Sequence, residues 1–326
     1  MAPRGGWVDK RTTKGQWDML DPREIYEVDE DVAAEVDELA AAGTGPLLVH
    51  AVRGFIDAGH AGEIAAEHVV DELPTRRLAT FDIDQLLDYR SRRPMMTFDA
   101  SAWREYEDPE LVVDLVGDER GTPFLLLHGT EPDVQWERYV AAVRELVDRF
   151  GVPLTVGIQG MPMGVPHTRP ITLTAHATRP DLVADFPSWF GAVRVPASAQ
   201  TLLELRLGQS GHDAMGFVVH VPHYLAQSTY PQAAIAALHQ LERVAGLDLK
   251  VARLDGAAQE ALHQIEEQVA GSHEVASLVH ALEEQYDAFT RGIGRAGLLA
   301  ATDLPTAEEL GAEFERFLAE QGPDEG

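Results

Sequence analysis

A chain of 326 residues with 45% hydrophobic content suffices for one large α/β domain with an appendage or for two domains, and needs no staple to hold its core. It contains no cysteine, which excludes disulfides, thiolate nucleophiles and cysteine-ligated zinc or iron–sulfur centres. Its 26 basic residues against 54 acidic ones leave a formal charge of −28, a field that repels phosphate backbones and anionic lipid, so neither nucleic acid nor a membrane is an expected partner.

Residues 1–21 form a polar arm without the apolar centre of a signal peptide, and no run of about 18 apolar residues occurs in the chain, which predicts a cytoplasmic protein. The acidic segment 22–41 carries Val32, Val36 and Leu39 at helical spacing, as a solvated helix on a sheet edge would. Next comes PLLVHAVRGFIDAGHAG, Pro46 to Gly62. Leu47, Leu48, Val49, Ala51 and Val52 fit a strand covered on both faces, and it ends in a loop holding Gly54, Phe55, Asp57, Gly59 and His60. A helix from about Gly59 to Asp71 follows, its N-terminus aimed at whatever lies at the strand end.

Leu78 to Ile83 reads as a strand. Between residues 84 and 121, Met95 to Phe98 and Leu111 to Val116 read as a hairpin insertion with Trp103 and Tyr106 near its tip, a surface for self-association or an ordinary packed ribbon. Phe124 to Leu127 is a strand ending in His128. The helix after it has one apolar face, from Trp136 to Phe150, and a C-terminal glycine, Gly151. Leu154 to Ile158 is a strand ending in Gln159, Gly160 and Met161, so strand, helix and strand alternate as in a largely parallel sheet. Ile171 to Ala175, Ala192 to Val195 and Phe217 to Val221 supply later strands. Beyond Pro231 four helical segments run to the end, the last marked by Leu310, Phe314, Phe317 and Leu318. The division is an α/β core over 22–247 and a helical subdomain over 248–326, which either covers the strand ends as a lid or packs on an edge.

Ligands of open α/β sheets bind at strand C-termini, so the candidate residues are those the strands deliver there. Asp57 either orients His60 for acid–base work or caps the next helix, whose N-terminus could itself seat an anion. His128, followed by Glu131 and Asp133, is either part of an acid–base or metal-ligating set or a structural histidine beside capping acids. Gly160 permits close backbone approach, and Arg169 in VPHTRP suits an anionic ligand group. In GHDAMGFVVHVPHYLAQSTYP, His220 sits in an apolar strand and reads as buried and hydrogen-bonded, while His223 and Tyr224 read as pocket residues. Pro222 argues against a helical ligand pair between His220 and His223, so no metal is expected. The chain lacks G-x-G-x-x-G, the phosphate-loop motif, H-E-x-x-H and G-x-S-x-G, and no cofactor is implied.

GFIDAGHAG, FLLLHGTEPDVQWERY, GIQGMPMGVPHTRP and HVPHYLAQSTYPQAA together resemble the actinobacterial PAC2 group, relatives of proteasome assembly chaperone 2, over roughly residues 20 to 295. The resemblance implies a three-layer α/β/α core like that of purine nucleoside phosphorylases and related hydrolases, with a mainly parallel sheet and a helical C-terminal portion over a ligand site. It also implies homo-oligomers, trimers among them, and a protein-binding scaffold or assembly factor with a proteasome-related partner. The alternative is a small-molecule binder or hydrolase- or phosphorylase-like enzyme using Asp57, His60, His128 and His223; the resemblance supplies no established activity.

Overall fold

Leu48, Val49, Ala51 and Val52 are buried on both sides of the strand Leu47–Arg53, which places that strand in the middle of a sheet covered by helices on both faces. The computed structural model describes residues 20–187 and 192–296. Its elements begin with β1 (Tyr26–Val28), α1 (Glu30–Ala41), β2 (Leu47–Arg53), α2 (Ala61–Glu72) and β3 (Thr75–Phe81). There follow β4 (Met96–Asp99), β5 (Ala102–Tyr106), β6 (Leu111–Gly117), β7 (Pro123–Thr130), α3 (Trp136–Arg149), β8 (Thr155–Met163) and β9 (Leu173–Ala177). The chain continues through α4 (Ala199–Gln209), β10 (Ala214–Pro222), α5 (Pro231–Ala245), α6 (Asp255–Gly271) and α7 (His273–Ala296).

Eight strands form one sheet in the order β1-β3-β6-β7-β2-β8-β10-β9. The four central strands β7, β2, β8 and β10 run parallel, and antiparallel ladders add β6, β3 and β1 on one side and β9 on the other. Val49, Leu126, Ile158 and Phe217 point to the face packed by α2 and α5. Leu48, Val52, Leu125 and Leu127 point to the opposite face, where α1, α3 and α4 supply Val36, Tyr139, Val143, Leu203 and Leu207. This is the three-layer α/β/α core with a mainly parallel sheet. The chain leaves β2 toward β3 on one side and leaves β8 toward β9 and β10 on the other, so the crevice between the ends of β2 and β8 is the topological switch point.

The hairpin is built differently from its sequence reading. β4 pairs with β5 through a turn at Ala100, which takes φ +52°, while Leu111–Gly117 lies in the main sheet, where its continuous apolar run is buried on both faces. Trp103 and Tyr106 therefore belong to the second strand of the ribbon. Ala192 to Val195 forms no strand, and the unanticipated helix α4 follows it. That helix starts at a capping box in which Ser198 and Thr201 satisfy each other's backbone N–H.

In the C-terminal part, α6 contributes Ile265 to the core and α7 contributes Val279 and Leu282. The loop after β8 holds α7 directly: Arg169 makes a bidentate pair with Asp287 at 2.8 and 2.8 Å and reaches Glu283 at 3.0 Å, and the Tyr286 hydroxyl donates to the Pro170 carbonyl at 3.0 Å. The helical segment around Leu310 to Leu318 and most of the N-terminal arm lie outside the described residues.

Candidate functional site

The switch-point crevice is filled by the loop that leaves β2. Its Asp57 carboxylate accepts from the backbone N–H of Gly62 (2.8 Å to Oδ1), Glu63 (3.0 Å to Oδ2) and Gly160 (3.1 Å to Oδ1). Two of those amides open α2 and the third lies in β8, so one side chain caps a helix and joins it to a neighbouring strand. Burial holds the Asp57 carboxyl above its ordinary value, outweighing the opposite pull of the three amides and nearby His60. Such a tight turn needs left-handed backbone, taken by Gly59 at φ +67° and His60 at φ +54°. It also needs a bare backbone at Gly160, where a Cβ would sit 2.1 Å from the Ala58 carbonyl oxygen. The Gly59 N–H donates to Ala226 O and the Tyr230 N–H to Gly59 O, which ties in the loop after β10 as well.

His60 does not face Asp57 as a hydrogen-bond partner. Its Nδ1 lies 2.8 Å from Glu63 Oε2, and Arg53 holds the other oxygen of Glu63 at 2.8 Å. Burial would raise the Glu63 carboxyl, and the hydrogen bonds from His60 and Arg53 with the Arg53 charge hold it below its ordinary range. Gly54 is bare because a Cβ would fall 2.0 Å from Glu131 Oε2. That buried carboxylate accepts from the Phe55 N–H at 2.9 Å and from the Ala199 N–H at 2.6 Å, so Glu131 anchors both this loop and the start of α4. The Phe55 ring itself is exposed.

His128 is engaged elsewhere. Its Nε2 is 2.7 Å from Asp114 on β6, and Arg77 on β3 donates to the other oxygen of Asp114 at 2.7 Å. Burial acts to raise the Asp114 carboxyl, but His128 and Arg77 bring it below the ordinary carboxylate value. Gln159 is buried in β8 and Met161 half-buried near its end. Tyr224 pairs with His167: its hydroxyl accepts the His167 backbone N–H at 2.9 Å and lies 2.6 Å from the ring Nδ1. Burial lowers the pKa of His167 and of His223, which keeps both rings neutral at pH 7. His220 is buried between Thr172 and Thr174, each hydroxyl 2.8 Å from a ring nitrogen, and burial takes its pKa down to about 4.

The structure thus brings Asp57, Gly59, His60 and Gly160 into one knot, with Gly54 and Phe55 attached through Glu131. His167, the histidine of VPHTRP, is held by Tyr224 and lines an open groove of about 420 Å³ between the loop after β8 and the α6–α7 turn, together with Glu266, Val269, His273 and Val279. Arg169, whose sequence context suited an anionic ligand, has both edges of its guanidinium on carboxylates of α7. Among the described residues no group of three or more His, Asp or Glu has the arrangement of a metal site, and no helix is long and apolar enough to cross a membrane.

A glycine-lined knot at the switch point of a three-layer sheet, with an α6–α7 pair clasped to the loop after β8, defines the architectural class. Residues 51–269 match the model of the PAC2 family, and the chain belongs to that family. It is similar to a Mycobacterium tuberculosis protein of unknown function at 49% identity, over 84% of this chain and 92% of that one, with a TM-score of 0.80. A Corynebacterium glutamicum protein of unknown function is 36% identical over 81% of this chain and 97% of that one, with a TM-score of 0.74. A proteasome-assembly chaperone homologue from Mycobacterium tuberculosis shares the fold at 24% identity, covering 72% of this chain and 99% of that one, with a TM-score of 0.65. No curated protein matches the chain.

Proposed function

We propose that this PAC2 protein is a cytoplasmic protein-binding assembly factor that works as a homo-oligomer, a trimer among the candidate sizes, and that docks a proteasome-related protein. The observation that carries the reading is the β4–β5 ribbon. Met95, Phe98 and Trp103 are 64, 57 and 66% exposed, and Phe98 and Trp103 stack edge-on at 5.0 Å in an otherwise strongly acidic protein. Clustered exposed aromatic and methionine side chains mark association surfaces. In this reading the ribbon joins copies of the chain, and the assembled oligomer meets its partner. The shared fold of the mycobacterial proteasome-assembly chaperone homologue supports the choice of partner.

The strand-end chemistry gives the alternative less support. A hydrolase- or phosphorylase-like enzyme needs Asp57 and His128 free to act, whereas Asp57 is spent on three backbone amides and His128 on Asp114. What favours a small-molecule role is the groove beside His167. Cross-linking and mass spectrometry of the full chain in an actinobacterial lysate tests the proposal. Cross-links to proteasome-related subunits are the expected result, and a protein linked to nothing but itself would overturn the assembly role.

A further inference from the structure

Under α4, one register row crosses four strands as His50, Gly157, Gly216 and His176. The two glycines leave a gap between two imidazoles. A Cβ on Gly157 would lie 3.0 Å from His50 Nε2, and one on Gly216 would lie 2.8 Å from His176 Nε2, so each ring leans over the glycine beside it. Helix α4 holds the far side of both rings with residues one turn apart. Gln200 Oε1 is 2.8 Å from His50 Nδ1, and the Gln200 amide donates to Val52 O at 3.3 Å, which fixes the oxygen toward the ring and the hydrogen on Nδ1. Glu204 takes His176 Nδ1 at 2.9 Å.

An imidazole that carries its single hydrogen on Nδ1 presents a lone pair at Nε2. His50 is 2% exposed, and its Nε2 has no hydrogen-bond partner among the described residues. A buried acceptor left unmet is costly, and buried polar atoms are almost always satisfied by protein or by bound water. The cavity these rings line with Gln159, Gln200 and Glu204 has a volume of about 10 Å³, close to what a single water needs. Two imidazoles are too few ligands for a typical zinc site, and Glu204 is already used by His176.

We propose that the His50–His176 cradle is a binding site for one water-sized hydrogen-bond donor, water or ammonium, which donates to the His50 lone pair and bridges it toward His176. The occupant joins β2 to β9 across the two glycine strands. Glu204 and His176 are the titratable groups facing His50, from α4 and β9; β8 contributes Gly157, Ile158 and Gln159, none of which titrates.

Two measurements on the full chain test this. A crystal structure near 1.5 Å resolution, from solution containing ammonium, should show one non-anomalous peak about 2.7–3.2 Å from His50 Nε2. Ring ¹⁵N shifts of His50 should report an Nδ1–H tautomer with a hydrogen-bonded Nε2. If added ammonium chloride moves those shifts where sodium chloride does not, the occupant is ammonium; if both salts leave them unchanged, it is water. Gly157→Ala should abolish the peak and lower the melting temperature by several degrees, and Gly216→Ala gives an independent second filling of the gap. An empty cavity, an Nε2–H tautomer of His50, or an anomalous peak about 2.0–2.1 Å from the nitrogen, which marks a metal, would overturn the proposal.

Discussion

The Asp57 carboxylate lies 3.1 Å from the backbone nitrogen of Gly160, across the crevice where α/β folds commonly seat a ligand. The contact closes that crevice with a residue of the chain itself. Asp57 is accordingly expected to matter for stability. Asp57→Ala removes the acceptor for three N–H groups, and with about 1–3 kcal/mol per buried unmet group the loss should be about 3 kcal/mol or more, read as a lower urea midpoint at unchanged slope. Asp57→Asn keeps one oxygen and should lose roughly half as much.

Gly160→Ala should be harsher than Gly246→Ala. The first places a methyl 2.1 Å from a carbonyl oxygen, whereas Gly246, at φ +66°, faces open space and pays only for left-handed backbone, about 1 kcal/mol. Soluble yield and melting temperature of the two variants compare them directly.

His220 sets a pH dependence. Its folded pKa of about 4 lies below the ordinary histidine value, so the unfolded chain binds a proton that the folded one refuses. Its stabilisation is complete above about pH 6.5 and is lost progressively as the pH falls from there to about 4, by up to about 3 kcal/mol. Buried His50 is shifted in the same direction. Urea denaturation at pH 7.5, 5.5 and 4.5 should show this decline, and His220→Gln should flatten it.

Arg169 ties the loop after β8 to α7, and that clasp is partly exposed. Arg169→Ala should therefore leave the melting temperature nearly unchanged while hydrogen exchange rises in α7 between Glu283 and Thr290. A uniform rise across the molecule would mean that the clasp supports the whole fold.

The periodic elements were the ones legible in sequence. α3 shows a single apolar face from Trp136 to Phe150, and β2 and β8 are short apolar runs ending in polar loops, so their positions and the location of the crevice could be read directly. α4 could not: Leu202, Leu203, Leu205 and Leu207 follow one another too closely to define a face, and its start depends on Ser198 and Thr201 satisfying each other. Nor could the partners of the candidate residues be read. Asp114 lies 14 positions before His128, Tyr224 lies 57 after His167 and Asp287 lies 118 after Arg169, and each pair is made by the topology and not by local spacing. The row of His50 and His176 became visible only when strand register placed two glycines between them.

Sedimentation velocity of the full chain beside a Phe98→Asp/Trp103→Asp double variant tests the association surface most directly. Both side chains are exposed in the single chain, so the variant should keep its fold and melting temperature. The wild-type protein should sediment as an oligomer and the variant as a monomer of 35.7 kDa. A monomeric wild type, or a variant that assembles as the wild type does, would contradict the role of that surface.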